Sequence, residues 1–542
     1  MNIYFIGMMI AMAVFVIIGF FVSRRIRSAE DFYVAGRQAP VLLIAGSLIA
    51  SYASTGMFMG DAGTFYDGGF SGMIILSGMQ SAGYIIGAVF FGRYLRRSRT
   101  ITIPEFFGSR FDSPAVKVIA TVTAIATMTV YLLSIIQGVG TLMELVTGVD
   151  YKICIVIAMV VFTLISVTSG SSGVLITDTL MAAVFTGALV IGIGFIAKNT
   201  GGWFASVETV AADPDLSALL SWSGKPGALY DTGIENVIWG VNYGIVWMSV
   251  CMVGPWQASR YQMAKDEHTV VRSAYWTGLF IFLLEFLTGM AAIMVHNADP
   301  DFTQPSHVLV WAAMHLMPKL LGVVLLTGIL AAGISSATTF QTLVGTLFAN
   351  DVLGGRLQRA GLSEEETQHR SITIGRIVMV IVAVLVTGLA LFNPPQIFVI
   401  MMFGGTIIAS SWMPVAVAGT FSKRLTKVGA GAGMIAGFVC NFFVKLYLTF
   451  AGISLPAWLD TSIIGMVACV IAMVIGSALT QVTEEEKAAR ARMFVMPETE
   501  RDPAEIKKTL GYTRIAMGIG VLFAAILIVL WIVPYYIGTG RL

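Results

Sequence analysis

The sequence predicts an all-α integral membrane protein of about fourteen transmembrane helices, and three observations predict it. Hydrophobic residues make up 56% of the 542, and the mean hydropathy is +0.83. Charged residues make up only 12%, about half the share of an ordinary soluble domain. Once the apolar stretches are removed no long polar segment is left, so length counts helices in a bundle. A net charge of +2 gives no bulk attraction to nucleic acid.

A helix crosses the hydrocarbon core in about 20 apolar residues. Spans fall near 3–22, 40–69, 72–92, 118–145, 151–168, 172–198 and 235–258, then near 274–297, 319–350, 372–392, 395–420, 428–451, 460–481 and 513–536. The first lacks a basic n-region and precedes Arg24, Arg25 and Arg27, so it reads as a retained helix with its short N-terminus outside. Charge placement tests the count independently. With alternating spans, the inner segments near 23–39, 93–117, 258–274, 350–376, 421–427 and 482–514 hold 27 of the 33 Lys and Arg. An extra or missing helix in the middle would scramble that asymmetry. Both termini are expected outside, in a cell membrane, with lipid around the bundle.

Cys154, Cys251, Cys440 and Cys469 lie far apart in apolar runs and read as small buried hydrophobes. The five histidines lie in or beside loops, none paired at i, i+4, which argues against a metal centre. No nucleophile–base constellation or phosphate-cradling glycine loop is apparent, so no catalysis and no cofactor are expected.

Four spans are not uniform. The second contains Ala50-Ser51-Tyr52-Ala53-Ser54-Thr55-Gly56, small hydroxylated residues that loosen a helix and free its carbonyls. In lipid that is tolerated only against a cavity or protein; the alternative is a small-residue packing face. The ninth carries Ala332, Ser335, Ser336 and Thr339 on one face by i, i+3, i+4 spacing, with Thr338 beside them. Several neutral oxygens close together suit a small hard cation, although such hydroxyls also bond their own preceding turn. The sixth holds Asp178 near its inner end, a carboxylate that is functional by default unless the interface hydrates it. Glu285, in the middle of the eighth span, has no obvious partner in sequence, whereas Asp61 and Glu144 read as solvated near outer ends.

The seventh span holds Asn242, Tyr243 and Trp247 ahead of Gly254-Pro255-Trp256, whose glycine and proline break or kink a helix. Spans two to six and seven to eleven are each five helices long. An odd number forces the two sets into opposite orientation, and each set opens with a breakable helix. That is the organisation of an inverted-repeat carrier whose broken helices meet at the midplane. The expected divisions are 1–39, the first helix and a cytoplasmic loop; 40–420, the core; and 421–542, accessory helices with a charged cytoplasmic loop at 482–514. Within the core the repeats are 40–198 and 235–420, with an outer loop at 199–234.

Read together, several stretches resemble the sodium:solute symporter family. They are Ala35-Gly36-Arg37, Ser51-Tyr52-Ala53-Ser54, Thr102-Ile103-Pro104-Glu105-Phe106 with Arg110-Phe111, Thr177-Asp178, Arg260 to Asp266, and Gly328 to Ser336 with Asp351. The resemblance covers spans one to eleven in order and implies a five-plus-five, LeuT-like core with extra helices at both ends. It implies a principal sodium held by carbonyls of Ala50, Ala53 and Ala332 and hydroxyls of Ser335 and Ser336. Some relatives hold a second sodium with the aspartate at the Asp178 place and hydroxyls one turn on, where Thr338 and Thr339 stand here. Members carry proline, pantothenate, acetate and other monocarboxylates, sugars or sialic acid. This chain departs from several members in lacking an acid near Ser51 or Tyr52, and in having Ile135, with Gln137 two residues on, where glutamine is common.

The resemblance around Tyr52 and across Tyr131 to Gly148 is nearest the acetate and pantothenate carriers. The expectation is therefore sodium-coupled import of a small carboxylate bound near Ser51, Tyr52, Ser54, Gln80, Asn242, Tyr243 and Trp247. Rivals are a symporter for an amino acid such as proline or for a sugar, a proton-coupled carrier using Asp178 or Glu285, and a channel. The expected partners are the solute, sodium and lipid, with no obligatory protein partner evident.

Overall fold

In lipid a backbone has no water to bond, so apolar runs of this length satisfy their amides as helices. The computed structural model describes residues 3–23, 34–354, 363–392 and 396–542. Among them the chain is helical throughout its ordered elements, and the one bridge of strand type pairs Ala39 with Ala264 in parallel. Arg24, Arg25, Arg27, Arg356 and Arg359, counted above with the inner segments, lie outside the described residues.

Helix α1 is Ile3–Ser23. α2 (Val41–Tyr52) and α3 (Gly56–Tyr66) are two halves of one span, bent by 50°. α4 (Phe70–Ser98), the short α5 (Ile103–Arg110) and α6 (Pro114–Thr147) follow. α7 runs over 49 residues, Tyr151–Asn199. At about 1.5 Å per residue that is too long for one crossing, and it supplies two spans, Tyr151–Thr168 and Val174–Asn199. α8 (Trp203–Ala212) lies outside the spans. α9 (Gly233–Val253) and α10 (Pro255–Met263) make a second interrupted span.

Next come α11 (Glu267–Ala298), α12 (Val308–His315), α13 (Lys319–Val352), α14 (Glu364–Phe392), and α15 (Ile397–Ser411) with α16 (Met413–Phe421). α17 (Lys427–Ala451), α18 (Thr461–Ala478), α19 (Glu484–Phe494) and α20 (Pro503–Gly538) complete the chain. Among the described residues twelve helices are long and apolar enough to cross a membrane and the α2–α3 pair makes thirteen, while Ile3–Val14 of α1 is a shorter apolar helix.

Burial separates centre from periphery. In α11 and α13 78% of an 18-residue apolar stretch is buried, against 17% in α17 and 11% in α20. Phe450 and Val521, on those outer helices, are 84% and 71% exposed, faces that lipid covers. The chain is a multi-pass membrane protein with an inverted-repeat core.

One end of the bundle carries the basic connections and is fastened shut. The Ala39 amide donates to the Met263 carbonyl and the Lys265 amide to the Ala39 carbonyl, at 3.1 Å each. Arg37 donates to the carbonyls of Arg99 and Thr100 (2.8 and 3.1 Å), and Arg96 to those of Ala264 and Lys265 (2.5 and 2.7 Å). The segment at 482–514 is not a bare loop. α19 opens with a capping box between Thr483 and Glu486, and Glu486 also accepts from the Lys427 amide at 2.6 Å. Arg97 pairs with Glu267 and donates to the carbonyls of Met493 and Phe494, both at 3.3 Å. His268 bonds Thr509 (2.9 Å) and the Glu500 carbonyl (3.0 Å), and Arg272 pairs with Glu505 at 2.6 Å. The segment is thus a strap across the basic end.

Candidate functional site

The α2–α3 break follows from its own residues. In an unbroken helix the Ser54 amide would bond the Ala50 carbonyl. Instead it turns to the Tyr52 carbonyl at 2.8 Å, with Ala53 at φ −68°, ψ 81°. Ser54 Oγ then accepts from the Gly56 amide at 3.1 Å and starts a wide turn over Gly56–Asp61. Such wide turns recur at functional sites because they re-aim side chains. The break is seated tightly. A Cβ on Gly333 of α13 would lie 3.2 Å from Thr55 Cγ2, and one on Gly138 of α6 only 2.6 Å from Thr55 Cβ. Close approach here requires glycine, and it lays the Ala332–Ser336 turn of α13 against the break.

The hydroxyls of that turn separate into three kinds. Thr338 donates to the Ser335 carbonyl of its own helix at 3.0 Å. Ser335 donates to Asp178 Oδ1, and Thr339 accepts from Arg260 at 2.9 Å. Ser336 Oγ is buried with no hydrogen-bond partner among the described residues.

Asp178 and Arg260 form a buried pair, Nη2 to Oδ2 at 3.0 Å. Ser47 of α2 donates to the same oxygen at 2.5 Å and accepts from Arg260 Nε at 3.0 Å. An isolated carboxylate here would cost several kcal/mol; the guanidinium and two hydroxyls replace its hydration. Arg260, counted above with an inner segment, lies inside on α10 at 2% exposure. Asp178 is likewise fully buried rather than hydrated at an interface.

The expected solute residues divide. Tyr52 donates to Glu285 and accepts from Gln80 Nε2 at 2.6 Å. Its ring meets Trp247 edge-on, with centroids 5.9 Å apart. Tyr131 closes the group, 6.2 Å from Trp247 and stacked on Trp256 at 5.4 Å. Ser51 back-bonds the Ser47 carbonyl at 2.7 Å. Asn242 and Tyr243 turn elsewhere, to the Ala457 carbonyl (3.4 Å) and Asp460 (3.3 Å) at the start of α18. The reading of Asp61 as solvated is corrected: it is 2% exposed, because the wide turn carries it into the bundle beside Glu285. Glu285 therefore has two partners, Tyr52 and Asp61, that spacing along the chain does not reveal. Glu144 is exposed as expected.

Over the Tyr52 group lies α15. Trp247 Nε1 donates to Met402 Sδ at 3.0 Å. Beyond Phe398 and Met402, at the end opposite the basic connections, is a cavity of about 590 Å³ that Glu235, Tyr243, Lys445 and Asp460 also line. A bundle shut at one end, recessed at the other and broken at its centre is the arrangement of an alternating-access carrier.

The comparisons agree with that class. The sodium:solute symporter family model matches residues 32–437, and the chain belongs to that family. The sodium/proline symporter of Salmonella typhimurium (strain LT2) is 24% identical over 497 residues, covering 87% of this chain and 93% of the relative. A substrate-bound, outward-open Na+-coupled sialic acid symporter is a structural relative with a TM-score of 0.72 at 18% identity, covering 90% of this chain and 99% of the other. Mhp1, a nucleobase-cation-symport-1 family transporter in a closed conformation with bromovinylhydantoin bound, matches with a TM-score of 0.54 at 12% identity, over 86% and 99% of the two chains. The protein is a sodium-coupled solute symporter with a LeuT-like fold.

Proposed function

We propose that the chain imports a small organic solute with sodium, the two binding on either side of the α2–α3 break. The observations that support this most are the packing of Gly333 on Thr55 at the break and, one turn along the same helix, a buried Ser336 Oγ with no hydrogen-bond partner among the described residues. In this reading the carbonyls of Ala50, Ala53 and Ala332 and the hydroxyls of Ser335 and Ser336 hold the principal sodium, an all-oxygen set suited to a hard cation. A second sodium among Asp178, Thr338 and Thr339 requires Arg260 to give up Asp178 and Thr339. The solute lies by Tyr52, Ser54, Gln80 and Trp247, while Asn242 and Tyr243 act farther out, where Tyr243 lines the cavity.

Repeats 40–198 and 235–420 rock against each other, and 421–542 braces them. The basic end faces the cytoplasm of a cell membrane, with both termini outside. The solute is a small carboxylate such as a monocarboxylate or pantothenate, which the resemblance around Tyr52 and across Tyr131 to Gly148 supports. A second reading, an amino acid such as proline, is favoured by the relative that spans 87% of this chain.

The test is a thermal-shift screen of the purified protein with acetate, pantothenate, L-proline and simple sugars, in sodium chloride and in choline chloride. A bound solute raises apparent stability by mass action. The expected hit stabilises only with sodium; one that stabilises equally in choline removes the coupling.

A further inference from the structure

Two carboxyl groups meet inside the bundle. Asp61, on the wide turn of α3, and Glu285, midway along α11, are 2% and 0% exposed, and they lie within hydrogen-bonding reach of each other. Among the described residues neither joins an ion pair. Their surroundings are rich in acceptor oxygen. Tyr52 donates to Glu285 Oε1, and Gln80 Nε2 donates to Tyr52. That leaves Asp61 Oδ1, Glu285 Oε2 and Gln80 Oε1 buried without hydrogen-bond partners among the described residues, and Thr288 Oγ1, one turn on from Glu285, is in the same state.

Two carboxylates in contact away from water cannot both be charged, and buried acceptors call for donors. A single proton on the pair meets the first demand and supplies a donor toward the second. Sodium or an ammonium group would have to push apart carboxyls that already touch, whereas a proton needs no room.

We infer that Asp61 and Glu285 are a proton-binding site, linked to the sodium and solute sites, which gives up its proton when the core opens to water. The geometry supplies the link. Tyr52, which holds Glu285, is the last residue of α2 before the break, and Asp61 rides on α3 beyond it. Movement of α3 against α11 separates the carboxyls and admits water, and both can then ionise. The other titratable groups facing this cluster are Tyr131 of α6 and Cys251 of α9, a phenol and a thiol that ordinarily titrate above about pH 8.

The test rests on the sodium reading above in one respect, that sodium favours the opened state. Sodium chloride, with choline chloride as control, is titrated into the full chain in nanodiscs between about pH 5 and 9, and binding is followed by tryptophan fluorescence. Released protons make apparent sodium affinity tighten as pH rises, by up to about tenfold per pH unit. Glu285→Gln and Asp61→Asn are each expected to bind sodium with that dependence flattened. Each should also lose the infrared band of a protonated carboxyl present in the closed wild type. A wild-type affinity independent of pH overturns the proposal, as does a dependence that survives both substitutions. A wild type with no protonated-carboxyl band overturns it whether or not the variants fold. Unchanged sodium binding in Ser336→Ala would instead count against the sodium site, leaving the infrared band to judge the pair alone.

Discussion

Arg260 reaches Asp178 from α10 at 3.0 Å and in the same grip holds Thr339 of α13 at 2.9 Å. Three elements from both halves of the core meet at one guanidinium. Replacing it with methionine strands a buried carboxylate, which costs roughly 3–5 kcal/mol. Arg260→Met should therefore lower the thermal midpoint of the purified protein sharply. Adding Asp178→Leu should recover most of that loss, since a neutral pair leaves no uncompensated charge. A double variant no more stable than Arg260→Met would show that the pair stabilises by more than mutual compensation.

Ser336 makes the opposite case. Its hydroxyl has no partner among the described residues, so Ser336→Ala should leave stability in choline chloride within about 0.5 kcal/mol of wild type. Half-saturation by sodium should rise about tenfold, the loss of roughly 1.4 kcal/mol from one ligating oxygen. Sodium titration of thermal stability reads both numbers.

Glycine tests the seating of the accessory helices. A Cβ on Gly437 of α17 would stand 2.2 Å from the Ser410 carbonyl oxygen of α15, while one on Gly194 of α7 meets nothing within 4 Å. Gly437→Ala should destabilise by about 1–3 kcal/mol, because backbone must move. Gly194→Ala should be neutral or stabilising by up to about 1 kcal/mol. Matched thermal melts separate the two.

The strap across the basic end depends on Arg97, which joins Glu267 to the carbonyls of Met493 and Phe494. Arg97→Ala should speed amide hydrogen exchange in 484–502 by at least about tenfold while exchange in α13 stays unchanged. Equal exchange in wild type and variant would mean that the remaining contacts, such as Glu486 on Lys427, hold the strap alone.

The spans and both breaks were legible because hydropathy and helix-breaking residues act locally. Ala53-Ser54 and Gly254-Pro255 interrupt their helices through bonds within a few residues. The pairings were not legible. Asp178 lies 82 residues from Arg260 and Tyr52 lies 233 from Glu285, and no local pattern encodes which buried charge meets which. Asp61 was misplaced for a different reason. Its distance along the span suggested water, but the wide turn rotates it inward. Asn242 and Tyr243 share a polar helix with Trp247 yet bond the start of α18, since one helix can serve two polar neighbours on different faces.

The bridge between Ala39 and Ala264 pins the approach to one interrupted helix onto the tail of the other. Two rods joined at one tip can separate only by swinging about that tip. Over a crossing of about 30 Å, a swing of about 10° sweeps the far tips roughly 5 Å apart, close to the width of a small solute. If the halves move so, the fastening that shuts the basic end would also serve as the fulcrum on which the other end opens.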